Sequence, residues 1–281
     1  MNGDFPFVGI ALMIFLAIAM FWGQAQYKKK KAEWGKFMTI VCGFLILIIA
    51  LVINLCPSGN GENKELQAIH QQYEAVKLQY FTQELVKNAK GSPKVLIIAE
   101  PEMEHNKDHI ANQITAIEKA LESSGGEILN VVHMKGDGGE GPEMMEGFVL
   151  KGDDFNNFLK SNPGHNVIIS LIGLPPEKQE LAKVELFDAE KMEGKQRPVL
   201  GLVNGDVYGL WMAIKIKYIH SIVTYRPKTK FDKKPPPENL KEAFDKRFIL
   251  ITPDNLESVL KSHFSKLYKK IEPKLKEMSE E

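Results

Sequence analysis

The sequence predicts an α/β protein: a doubly wound, mainly parallel sheet, preceded by two transmembrane helices and a juxtamembrane helix. Two long runs near the N-terminus contain no charged residue. Beyond them, short β-rich runs alternate six times with helical periodicity, the pattern of a sheet wound on both faces. Several of those runs are apolar without a break, as strands covered on both sides are. Composition agrees. The 281 residues carry 36 Lys and Arg against 36 Asp and Glu, with 44% hydrophobic residues and two cysteines. Those proportions exclude global disorder, a collagen-like chain and a disulfide scaffold.

Residues 5–22 and 37–55 are the uncharged runs, eighteen and nineteen residues long. As helices each would span roughly 27–28 Å, close to the thickness of a bilayer's hydrocarbon core. Between them, residues 24–36 hold Lys28, Lys29, Lys30, Lys31 and Lys36 against Glu33. The first six residues hold Asp4 and no base, and after the second run Lys64 is the first basic residue. Positive charge on short loops marks the cytoplasmic side. The expected topology is therefore a multi-pass anchor over 1–56 in the cell (inner) membrane, with the lysine loop inside and the C-terminal domain periplasmic or extracellular. A competing possibility makes the second run a signal peptide. It lacks a cleavage site, because Ile53-Asn54-Leu55-Cys56 is neither A-x-A nor a lipobox. The lysines would also suit anionic lipid headgroups.

Residues 57–90 form the juxtamembrane segment. Pro57 to Gly61 breaks the chain. Leu66, Ile69, Tyr73, Val76 and Tyr80 then follow at spacings of 3, 4, 3 and 4. That stripe fits either a short coiled coil joining two copies through 62–88, or an amphipathic helix packed on its own domain. Glu62, Glu65, Lys77 and Lys87 lie off the stripe.

The extracytoplasmic domain is placed at 91–281. Val95 to Ala99 reads as a buried strand. Ile110, Ile114, Ile117 and Leu121 make a helical stripe closed by Gly125-Gly126, and a second strand covers 128–133. A short helix capped by Asp154 is followed by a third strand over 167–172 and a helix over 178–189. A fourth strand covers 199–203, a helix 207–219, and fifth and sixth strands 222–225 and 248–251. The last two strands are read as the possible start of a second lobe, separated by a basic, proline-stiffened insertion over 228–237. Asp254 with Glu257 starts a final helix bearing Leu256, Leu260, Phe264, Leu267 and Ile271. Beyond Cys56 the chain has 31 basic and 34 acidic side chains, so nothing points to nucleic acid as a partner.

In the strand 94–99, the helix ending Leu121-Glu122-Ser123-Ser124-Gly125-Gly126, the strand begun by Glu127, the strand 166–174, and Arg197-Pro198-Val199-Leu200-Gly201-Leu202-Val203 followed by Asn204-Gly205-Asp206, the chain resembles the type I periplasmic solute-binding proteins. Its length suits one lobe of that architecture. The resemblance implies ligand binding without catalysis and identifies no ligand.

In an open α/β sheet ligands gather at the carboxyl ends of the strands. From those ends the candidate ligand-binding residues are Glu100, His105, His133, Asn204, Asp206 and Tyr225. Asn204, Asp206 and Asp254 also suit helix N-caps. His105 and His109 are four apart and His133 ends the next strand, which makes these three the candidates for a metal. Asp108 reads as the helix start, however, leaving His105 before it, and no H-E-x-x-H occurs. Gly136-Asp137-Gly138-Gly139-Glu140-Gly141 matches G-x-G-x-x-G literally. It follows the second strand and carries carboxylates that would repel phosphate, so it reads as an acidic loop rather than a dinucleotide site. No P-loop or G-x-S-x-G elbow is present, the domain has no cysteine nucleophile, and no cofactor is called for. The readings in order are a membrane-anchored binding or sensing protein, a structural subunit of a membrane assembly, and a metal-dependent hydrolase.

Sidedness is directly measurable. With Cys42→Ser and Cys56→Ser as background, Gly138→Cys should react with an impermeant maleimide on intact cells, and Ala32→Cys only after lysis. The reverse pattern would put the α/β domain in the cytoplasm.

Overall fold

The computed structural model describes residues 5–30, 33–55, 60–134, 149–194 and 196–280. It forms two compact units, Met1–Ala68 and Ile69–Glu281. In the first, α1 (Phe5–Lys30) and α2 (Glu33–Leu55) are longer than the uncharged runs and take in most of the lysine-rich segment. They pack on one another through small residues. A Cβ on Gly35 would come within 2.5 Å of the Gly23 carbonyl oxygen, so glycine is what permits this approach. Trp22 and Trp34 lie with ring centroids 5.6 Å apart, and Cys42 is buried. Among the described residues no helix is long and apolar enough to cross a membrane. Described side chains run from 12 to 28 in α1 and from 34 to 49 in α2, so each uncharged run is described only in part.

The boundary between the units falls inside α3 (Asn60–Val86). In the second unit, β1 (Lys94–Ala99), β2 (Glu127–His133), β3 (Val167–Ser170), β4 (Val199–Val203), β5 (Ser221–Tyr225) and β6 (Phe248–Ile251) form one sheet in the order β2-β1-β3-β4-β5-β6. All neighbours are parallel except β5 and β6. The fifth and sixth strands therefore complete this sheet and begin no second lobe. The winding runs from β1 outward to β2, then returns past β1 to β3, so its direction reverses between β1 and β3.

The central strands are apolar on both sides, and each face has its own helices. Val95, Ile97, Val167, Ile169, Val199 and Val203 face α3, α4 (Lys107–Glu122) and α8 (Leu240–Arg247). Ile98, Ile168, Leu200, Leu202 and Ile222 face α5 (Gly152–Ser161), α7 (Val207–Lys215), α9 (Leu256–His263) and α10 (Ser265–Glu280). Ile69, Tyr73, Leu78, Phe81 and Leu85 of α3 are buried against the sheet. This is the second of the two arrangements open to the 3–4 stripe. Of that stripe, Ile69 and Tyr73 are buried in the domain, Val76 and Tyr80 are half-buried against it, and Leu66 is exposed.

Several local expectations are corrected. The helix expected over 178–189 is one turn, α6 (Lys178–Leu181), and a 3₁₀ turn at Glu185–Phe187. Asn156 is the reason. Its amide donates to the Lys183 carbonyl and accepts from the Glu185 N–H, both at 2.8 Å, taking backbone groups a helix would use. Asp154 lies in the first turn of α5, whose cap position is Lys151. The helix expected from 207 to 219 stops at Lys215. The final helix is two, broken at Phe264, and both halves keep the expected stripe buried through Leu256, Leu260, Leu267 and Ile271. Asn255 rather than Asp254 precedes α9, with its amide bonded to Thr252 N and Leu250 O. Helix α8 was not expected, although Asn239 caps it by accepting from Glu242 N at 3.0 Å.

Gly201 lets α3 settle on β4. A Cβ there would lie 2.5 Å from Leu85 Cδ2 and 2.6 Å from Phe81 Cζ, both on fully buried side chains. Gly201→Ala should therefore overpack this contact and cost about 1–3 kcal/mol. The melting temperature should fall by roughly 2–4 °C per kcal/mol. An unchanged melting curve would mean that α3 is not seated on β4.

Candidate functional site

The reversal of winding leaves a crevice at the carboxyl ends of β1 and β3, with β2 alongside. A cleft of about 470 Å³ occupies it. Its apolar walls come from Met103, Met134, Val149, Leu150, Ile172 and Leu174, with Pro101 and Pro176 at the turns. Glu100, His105 and Asn106 supply the polar groups. The walls are held by short hydrogen bonds. Asn106 Oδ1 accepts from Met103 N at 2.8 Å and its Nδ2 donates to Pro101 O at 3.0 Å, folding 101–106 into a fixed turn before α4. Met134 N donates to Ala99 O at 3.1 Å and Leu171 N to Ile98 O at 2.9 Å, carrying the pairing past the strand ends. Ser170 Oγ donates to Gly173 O at 2.5 Å and closes the turn after β3.

The six expected binding residues separate into three places. Glu100 and His105 line the cleft and are exposed. His133 stands beside it, its Nδ1–H donating to the Glu100 carbonyl at 2.9 Å, which leaves Nε2 as an acceptor. Asp206 caps α7, accepting from Tyr208 N at 2.9 Å and Gly209 N at 3.1 Å. Asn204 and Tyr225 meet under α3. The metal candidates do not come together. His109 faces a small crevice lined by Gln71, Glu74 and Leu78, away from His105. Among the described residues no group of three or more His, Cys, Asp and Glu could hold a metal ion. The acidic G-x-G-x-x-G loop lies outside the described residues.

Under α3, at the carboxyl ends of β4 and β5, sits a buried ionic network that the sequence did not signal. Lys77 is 1% exposed and pairs with Glu74 one turn earlier. Its ammonium is 3.5 Å from Asn204 Oδ1 and lies over the rings of Tyr225 and Phe248, at 5.5 and 5.6 Å. The Tyr225 hydroxyl donates to Glu74 Oε1 at 2.6 Å. Burial alone would push the Glu74 carboxyl up. The Lys77 charge, with hydrogen bonds from Lys77 and Tyr225, outweighs it and holds the group below its usual range. Burial, and then the hydrogen bond and charge of Glu74, push the Tyr225 phenol far up. Arg247 is also buried, its guanidinium 3.5 Å from the Tyr73 ring centroid and donating to Asp232 O at 3.0 Å.

No family model matches the sequence, and a search of curated proteins returns no match. Two solved structures are similar in fold. One is a periplasmic ribose ABC transporter protein from Conexibacter woesei DSM 14684, at 10% identity and TM-score 0.44 over 69% of this chain and 62% of that one. The other is an ABC transporter solute-binding protein from Bradyrhizobium sp. BTAi1 with bound bis-tris, at 10% identity and TM-score 0.40 over 66% of this chain and 53% of that one. The chain thus spans less than two thirds of the length of either.

The network makes a sharp thermodynamic prediction. Lys77→Met leaves Glu74 buried beside no cation and should cost about 3–5 kcal/mol. Adding Glu74→Gln should recover much of that loss in a denaturant titration. Because the folded Glu74 pKa is depressed, its contribution is present above the unfolded carboxylate value. It should decline as pH falls from about 4.5 through the lower folded value. The double variant should lose that part of the acid slope.

Proposed function

We propose that this is a membrane-anchored binding protein that holds a small molecule in the cleft where the winding reverses. The cleft is the observation that carries this reading. Its volume is that of a single small-molecule site. It lies where ligands bind in doubly wound sheets, outside the carboxyl ends of the strands at the reversal point. Apolar side chains together with Glu100, His105 and Asn106 suit a ligand that has both an apolar part and hydrogen-bonding groups. No nucleophile with its base faces the cleft among the described residues, so binding is favoured over hydrolysis.

The anchor rests on the sequence. Two uncharged runs of bilayer length flank five lysines, which keep the connecting segment inside and the α/β unit outside. Close packing of Gly23 against Gly35 and the Trp22–Trp34 pair suit a membrane hairpin with aromatic residues at its interface.

The cleft is tested on the full-length protein, by thermal melting against panels of sugars, amino acids and nucleotides. A ligand at about 100 times its Kd should stabilise by about 2.7 kcal/mol. Ile172→Trp, which fills the cleft, should abolish the shift while leaving the unliganded melt near the wild type. Absence of any shift across the panels, or a shift that survives Ile172→Trp for every ligand, would remove this assignment.

A further inference from the structure

At the opposite end of the sheet lies a second cavity, of about 320 Å³. It is bounded by the last turn of α3, the turn between α7 and β5, and the residues after β6. Because β6 is antiparallel to β5, it delivers residue 254 to the same end of the sheet as residues 220 and 221. The cavity therefore gathers side chains from three separate parts of the chain, and almost all are polar.

Four of them stand out. Ser221 is 1% exposed, and its Oγ has no hydrogen-bond partner among the described residues. A buried hydroxyl left unpaired is uncommon enough in native proteins to need an explanation. His220 accepts the Leu200 N–H at Nδ1, 3.2 Å away, so its neutral ring carries the proton on Nε2 and presents a donor. Burial, helped by the Lys217 charge, lowers the pKa of that ring and keeps it neutral. Lys217 and Asp254 bring one charge of each sign, and neither forms an ion pair among the described residues. The other two charged groups, Lys87 and Glu84, already pair with each other at 2.7 Å.

We propose that this cavity binds a small zwitterion of free amino acid size, with its carboxylate taken by Lys217, His220 Nε2–H and Ser221, and its ammonium by Asp254. The charge pattern disfavours the simpler ligands. An inorganic anion would meet Asp254, Glu84 and the carbonyl end of α3, where the helix dipole is negative. A simple cation would meet two lysines. An apolar molecule would find few apolar neighbours and leave Ser221 unpaired. A molecule with both charges matches both free partners and supplies the acceptor that Ser221 lacks. This site is independent of the cleft at the winding reversal and does not rest on its assignment.

The test is calorimetric titration of the full-length protein with the twenty free amino acids. Whichever binds is then compared with its N-acetyl and methyl ester forms. At least one free amino acid should bind, and each blocked form should bind roughly tenfold more weakly or worse, having lost one charge-assisted partner. Asp254→Asn should weaken the free amino acid by a similar factor and leave the N-acetyl form unaffected. Ser221→Ala should weaken binding several-fold while raising the melting temperature of the unliganded protein, because an unsatisfied buried hydroxyl is removed. Ile172→Trp should change nothing here. No heat with any of the twenty would overturn the proposal. So would equal binding of the blocked forms, or binding abolished by Ile172→Trp and untouched by Asp254→Asn. Asp254 is exposed, so that arm stands even if Ser221→Ala fails to fold.

Discussion

The central strands β1, β3 and β4 carry apolar side chains on both faces, and neither face can be left to water. Val95, Ile97, Val167, Ile169 and Val199 on one side, and Ile98, Ile168 and Leu200 on the other, are essentially fully buried. At about 25 cal/mol per Å² of apolar surface, uncovering either face would outweigh the whole stability of a domain this size. Helices therefore have to lie on both sides, and a chain that winds to one edge must come back to reach the other. That return, between β2 and β3, separates the connections at the ends of β1 and β3 and opens the cleft. The same requirement recruits α3. The connections between strands leave the surface over β4 short of cover, and a helix preceding the sheet fills it with Phe81 and Leu85 above Gly201.

Recruiting α3 has an electrostatic consequence. The helix has to reach the carboxyl ends of β4 and β5, and at 3.6 residues per turn its inward face there includes positions 74 and 77 as well as 73 and 78. Glu74 and Lys77 thus go under the helix as a pair, closed off by Tyr225, Asn204 and Phe248. Such a pair adds little net stability over an apolar one of equal volume, since desolvation offsets most of the attraction. What it supplies is selectivity of register. Sliding α3 by one turn would take the carboxylate away from the Tyr225 hydroxyl and the ammonium away from Asn204, leaving both groups short of partners. An apolar interface alone would tolerate that shift far better.

The central strands were legible because burial on both faces writes itself as unbroken apolar runs, and all six strands fall within a residue or two of where they are expected. The breaks in helices were less so. The segment after β3 has helical composition, and only the amide of Asn156, arriving from a different helix, takes the backbone groups at 183 and 185. Lys77 reads in sequence as a solvated charge because its ring neighbours at 225 and 248 are some 150 residues away or more. The rule that ligands gather at strand ends points to the end of the sheet where the cleft lies. Choosing polar residues there took in Glu100 and His105 but passed over Met103, Met134 and Ile172, which also line it. Apolar residues just past a strand end look like core until the winding order is known.

A wholly parallel sheet segregates its ends: carboxyl ends with their variable loops on one side, amino ends with plain helix-to-strand returns on the other. The sixth strand departs from this. Running against β5, it puts its own carboxyl end, with Thr252, Pro253 and Asp254, among the returns at the amino side. Loops that follow a strand then meet residues fixed by the strands, as they do around the cleft at the opposite end of the sheet. The unpaired Ser221 hydroxyl lies at that junction, on the first residue of β5 and next to the strand that breaks the parallel rule. A pairing defect of this kind would be easy to remove, since alanine fits the same space. Thr82 Oγ1 and Arg226 Nε are unpaired as well among the described residues, but Ser221 differs in lining a cavity, where β6 brings its carboxyl end to the amino side of the sheet.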